Sequence, residues 1–73
     1  MKKLEAMVTS PPDRENVVFE VWCENQQVAE VSKEPGQDYK IELYAAPEGG
    51  AWHLDLNEFK SMLEDAVKAL ADP

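Results

Sequence analysis

Glu30, Glu42 and His53 are the residues whose types could do chemistry together. Two carboxylates beside an imidazole are the raw material of general acid–base catalysis. Alternation along three predicted strands places them in one cross-strand row, with Trp22 at its end. An acid–base site also needs a pocket that excludes water and a layer of groups that orients the reacting ones. An open sheet face supplies neither, so no catalytic activity is expected. Cys23 and His53 are the single cysteine and the single histidine. They do not make the set of three or four ligands that zinc requires. Cys23 falls on the inward face of its strand with no cation placed to lower its pKa, which reads as a buried structural thiol. No glycine-rich phosphate loop is present, and Gly49-Gly50 reads as a turn. No cofactor and no metal are expected.

The same outward face carries a different kind of candidate. Trp22 and Tyr44 are large aromatics on the side away from the predicted core, and such residues are enriched at protein interfaces. Glu20, Glu24, Glu30 and Glu42 share that face with His53. Trp22, Tyr44, Glu20, Glu24, Glu30, Glu42 and His53 are therefore the candidate partner-binding residues. The alternative is that the N-terminal arm folds over the aromatics through Leu4, Met7 or Val8 and makes a second core layer. The helix surface around Glu64 and Asp65 is the next acidic candidate.

The elements that must position these residues follow from periodicity and turn chemistry. Residues 1–16 read as an N-terminal arm in which Leu4, Ala6 and Val8 alternate with Glu5, Met7 and Thr9, allowing a short strand. Ser10-Pro11-Pro12 ends it, because proline lacks the N–H and restrains its predecessor. Residues 17–73 read as one ββββα domain. Its strands are Val17–Cys23, Val28–Lys33, Tyr39–Ala45 and Ala51–Leu54, each with one apolar face. A one-residue slip turns every side chain to the opposite face. Parity therefore selects a loop Asn25-Gln26-Gln27 that pairs Val21 with Val31 and keeps Glu30 out of the core. It likewise selects Pro35-Gly36-Gln37, pairing Val31 with Ile41 and Ala29 with Leu43. A loop Ala46–Gly49 then lets Trp52 lie beside Leu43 and Leu54 beside Ile41. With these registers Glu24, Val28 and Tyr44 flank the Trp22 row on one side, and Glu20, Ser32 and Lys40 on the other.

Asp55 is a suitable N-cap for a helix, with Glu58 at the capping-box position. Leu56, Phe59, Leu63, Ala66 and Leu70 recur at helical spacing, with Met62 and Val67 flanking. Lys60, Glu64 and Lys68 line the far side, and Pro73 cannot continue the helix. A sheet with one apolar face and a helix with one apolar stripe cover each other. The expected fold is α+β: an antiparallel four-stranded meander, five-stranded if the arm adds a strand, with one C-terminal helix on one face.

Composition bounds the function. Seventy-three residues make one small core,. Fifteen acidic residues against seven basic ones leave a net charge of −8. That balance argues against direct nucleic-acid binding, which needs clustered Lys and Arg. It suits solubility and attraction to a basic protein surface. A lone cysteine does not fit a small secreted domain, which normally carries several disulfides. Lys2 and Lys3 lead into Leu-Glu-Ala-Met without the apolar core of a signal peptide. No apolar run reaches membrane-spanning length. Cytoplasmic residence, as a monomer or homodimer, is the expectation.

The stretch VVFEVWCENQQVAEVSKE, with DYKIELY and WHLDLNEFKSMLEDAVKAL, resembles small uncharacterised bacterial proteins built as a strand meander with a closing helix. Some proteins of that build are immunity proteins or inhibitors. The resemblance covers most of the chain from Val17 and implies no functional residue. It implies a binding role: a small acidic protein that occludes a basic partner. A homo-oligomeric housekeeping domain, assembled through a strand edge or the aromatic face, is the alternative.

Overall fold

The computed structural model describes residues 3–71. Pro73, expected to end the helix, lies outside them. The described chain forms four strands and one long helix: β1 Leu4–Thr9, β2 Val18–Cys23, β3 Gln26–Ser32, β4 Lys40–Leu43 and α1 Leu56–Leu70. The strands make one antiparallel sheet in the order β1-β2-β3-β4. The α+β architecture and the C-terminal helix are as expected, but the set of strands is not. The N-terminal arm adds β1 at one edge, and Ala51–Leu54 is not a strand.

The two hairpins show why one register was predictable and the other was not. Glu34–Gln37 closes a turn in which the Gln37 N–H donates to the Glu34 carbonyl at 3.0 Å. Pro35 pre-sets its second position, and Gly36 takes the left-handed conformation at its third (φ 74°),. The pairs Val31↔Ile41 and Ala29↔Leu43 result, as parity requires. The β2–β3 turn is shorter than the loop expected for it. Glu24 and Asn25 alone connect Cys23 to Gln26, and Glu24 is left-handed (φ 56°). A regular ladder from that turn would pair Glu20 with Ala29 and send Glu30 into the core. Instead Val28 is an extra residue in β3: Trp22 pairs with Gln27 and Val21 with Ala29. This bulge shifts the register by one and restores the parity. It also lets Val28 and Ala29, adjacent in sequence, both enter the core. The partner of Val21 is therefore Ala29 and not Val31, which pairs with Phe19.

The core lies between α1 and the sheet. Leu4, Phe19, Val21, Cys23, Val28, Ala29 and Val31 meet Ala66 and Leu70 there, with Phe59, Met62 and Leu63 packed around them. Trp52 and Leu54 also pack on this cluster. Two successive left-handed residues, Glu48 (φ 59°) and Gly49 (φ 74°), turn the chain after Pro47. The Trp52 indole N–H then donates to the Tyr44 carbonyl at 2.9 Å. Trp52 and Leu54 thus join the core instead of pairing beside β4. This leaves Leu43 68% exposed and Ile41 42% exposed. The apolar stripe of the helix is also narrower than its sequence suggests, since Leu56 and Val67 are exposed.

Asp55 caps α1 as its sequence position requires. Its carboxylate accepts from the Glu58 N–H at 2.9 Å. Asp55→Ala should therefore cost about 1 kcal/mol, seen as a lower urea midpoint at constant slope. Val31→Asp should cost more than about 3 kcal/mol, because it puts an unpaired carboxylate beneath α1. A tolerated Val31→Asp would mean that β3 presents its other face to the helix.

Candidate functional site

The bulge decides what stands on the sheet face away from α1. Glu20, Glu30 and Glu42 are direct cross-strand partners, with Met7 beside Glu20 on β1. Three carboxylates side by side on adjacent strands repel one another unless cations or donors intervene. Each finds one. The Arg14 guanidinium donates to Glu30 Oε2 at 2.7 Å and to Glu42 Oε1 at 2.9 Å. The Trp22 indole N–H donates to Glu20 Oε1 at 3.0 Å, and the Thr9 hydroxyl to Glu20 Oε2 at 3.4 Å. The hydrogen bond to Glu42 and the carboxylate charges hold Arg14 more firmly protonated than a free arginine,.

Arg14 belongs to the β1–β2 connection, which folds back over the outer face to reach this row. Asn16 Nδ2 donates to the Lys33 carbonyl at 2.6 Å, and the N–H groups of Glu15 and Asn16 donate to Glu34 Oε2. Val18 and Ser32, in the row nearest the connection, are buried although they face away from the helix. The face is thus covered at one end by residues 10–17, bridged by Arg14 in the middle and open at the other end. The arm does not cover the aromatics; it continues the sheet.

The open end carries Trp22 opposite Glu5 on β1 and Gln27 on β3. Trp22 is half-buried in a shallow hollow of about 350 Å³ shared with Glu5, Met7, Glu24 and Asn25. Tyr44 continues β4 beyond Leu43, and its N–H donates to the Val28 carbonyl at 2.9 Å. Partial desolvation at the surface, reinforced by the charges of Glu30 and Glu42, pushes the Tyr44 phenol above its ordinary value, while Arg14 opposes the shift,.

The expected residues are therefore brought together only in part. Glu20, Glu30 and Glu42 form one row, where Trp22 was expected to head it. Trp22, Glu24 and Tyr44 lie towards the open end. His53 is not beside Glu42. With Ala51–Leu54 unpaired, it lines a separate hollow of about 580 Å³ at the β2–β3 turn, together with Cys23, Glu24, Asn25, Pro47 and Trp52. Arg14 was not singled out from the sequence. The signal available was that it is the only arginine in an acidic chain, in a loop able to reach the sheet.

Among the described residues no group of three or more His, Cys, Asp or Glu side chains is arranged to hold a metal ion. No helix among them is long and apolar enough to cross a membrane. No protein-family model, curated protein or solved structure matches the chain.

A tyrosine whose folded-state pKa is raised contributes stability that is complete below the unfolded value of about 10 and is lost as pH rises through the folded value. In a Tyr39→Phe background, ultraviolet titration should show Tyr44 ionising later than a free tyrosine. Arg14→Met should raise its pKa further, and Glu30→Gln should lower it. A phenol that ionises normally and ignores Arg14→Met would place Tyr44 away from the carboxylate row.

Proposed function

We propose that the protein is a small acidic binding domain without catalytic activity, of the inhibitor or immunity type, which occludes a basic surface on a protein partner. The observation that carries this reading is Trp22. Its ring is only half-covered, lies in a shallow hollow, and has carboxylates on both sides. An aromatic face among carboxylates suits an incoming arginine or lysine, which gains a cation–π contact and an ion pair together. Met7 and Tyr44 extend the apolar area on the same face, and both are exposed. The intrinsic cation, Arg14, is spent on Glu30 and Glu42. Glu5 lies across from Trp22 at the open end of the same face.

Anchor and steering residues should fail differently. The immobilised chain should capture a basic protein from lysate at low salt and release it as ionic strength rises. With that partner, Trp22→Ala should speed dissociation about 30-fold, the equivalent of about 2 kcal/mol for an interface anchor. Glu5→Lys should mainly slow association and flatten its salt dependence. Circular dichroism should show both variants folded. Unchanged kinetics in both folded variants would exclude this face as the binding surface.

A further inference from the structure

We propose that β4 is a docking edge for a second copy of this chain, with the two β4 strands pairing antiparallel about a two-fold axis through Ile41. The two four-stranded sheets then become one continuous sheet. This surface is separate from the Trp22 hollow, and the inference does not depend on the binding role proposed above.

The first support is the state of the edge. Among the described residues β4 pairs only with β3, and no other backbone hydrogen bond reaches Lys40–Leu43. The bond from Tyr44 N–H to the Val28 carbonyl continues the β3–β4 register. In an antiparallel ladder the residues that bond to a neighbour alternate with those that do not. Tyr44, Glu42 and Lys40 therefore direct their backbone groups at β3, and Ile41 and Leu43 direct theirs outwards. No proline lies within β4 to block a new ladder; Pro35 and Pro47 fall outside it.

The second support is apolar surface. The buried part of α1 packs over the inner strands, so the core-side residues of β4 have little cover. Tyr39, Ile41 and Leu43 are all exposed, as is Val67 on the adjoining helix surface. The Tyr39 hydroxyl donates to the Val67 carbonyl at 3.2 Å, so strand and helix form one continuous patch.

The third support is charge, which selects both the partner and the register. Two strands that keep their apolar residues on one face can pair only in registers of matching parity. A two-fold axis at Lys40 sets lysine against lysine, and one at Glu42 sets glutamate against glutamate. An axis at Leu43 pairs Glu42 with Tyr44 and leaves Lys40 beyond the overlap. An axis at Ile41 sets Lys40 against Glu42 of the second copy, twice. It also sets Ile41 against Ile41 and Tyr39 against Leu43, and Ile41 is one of the residues whose backbone groups face outwards. Lys40 makes no ion pair among the described residues. Glu42 sits in a row of three carboxylates served by one guanidinium, which a second cation would balance. The opposite edge offers no such match. Its outer-face residues are Glu5, Met7 and Thr9, with a single charge among them.

Sedimentation equilibrium of the full chain should show a dimer. Lys40→Glu and Glu42→Lys should each weaken self-association about ten-fold or more, since each turns two attractive cross-strand pairs repulsive. Mixing the two variants should restore dimerisation as a heterodimer, in which every pair is again opposite in charge. Ile41→Pro should abolish the dimer with the circular dichroism spectrum unchanged, because the N–H it removes faces away from β3. If Ile41→Pro fails to fold, the charge-swapped pair decides alone. A wild-type chain that stays monomeric at the highest attainable concentration would overturn the proposal. So would a dimer indifferent to Lys40→Glu, or a mixture that does not heterodimerise; either would move any self-association to β1 or the outer face.

Discussion

The constraint on which the rest depends is that Glu30 cannot enter the core. A two-residue turn at Glu24-Asn25 would put it there, and an unpaired buried carboxylate is far more costly than a local irregularity in a ladder. The bulge at Val28 resolves the conflict by adding one residue to β3. Its consequences run through the molecule. It sets Glu20, Glu30 and Glu42 side by side, which makes a cation necessary. Arg14 provides that cation, and to do so the β1–β2 connection must fold over the outer face. The folded connection then buries Val18 and Ser32, so the sheet has a small second layer opposite the helix.

A second constraint is width. A helix with its side chains is about 10–12 Å across, while neighbouring strands are about 4.8 Å apart. One helix cannot cover four strands. α1 buries the inner faces of β2 and β3 and reaches Leu4, leaving Val8 at one edge and Ile41 and Leu43 at the other exposed. Had Ala51–Leu54 paired beside β4, Trp52 would have covered Leu43. The left-handed pair Glu48-Gly49 and the bond from Trp52 to the Tyr44 carbonyl hold that segment on the core instead. The exposed apolar edge is thus a consequence of how the chain enters its helix.

The two surfaces that emerge are physically different. Around Trp22 an aromatic ring lies among carboxylates on an open face, an arrangement suited to a basic partner. At β4 the backbone itself is available, alternating charge supplies a register, and the apolar residues supply area. The outer face is used up internally where Arg14 reaches, which leaves the end near the β2–β3 turn open.

By itself the sequence determined the parts whose causes are local. The helix start at Asp55, the β3–β4 turn at Pro35-Gly36, the inward placement of Phe19, Val21, Cys23, Ala29 and Val31, and the assignment of Glu20, Glu30 and Glu42 to the outer face all follow from capping, turn geometry and alternation, whereas Val28, expected on the outer face, is carried into the core by the bulge. Tertiary structure alone decided the β2–β3 register, because a bulge is a non-local compromise and a loop-length argument presumes an unbroken ladder. It also decided that residues 4–9 form a strand and residues 51–54 do not, although both show alternation. A strand needs a partner edge as well as a pattern, and β1 found one on β2 while the side chains of Trp52 and Leu54 packed on the core. His53 went with that segment, away from Glu42. Arg14 reached the carboxylates through the fold of a loop that no periodicity describes.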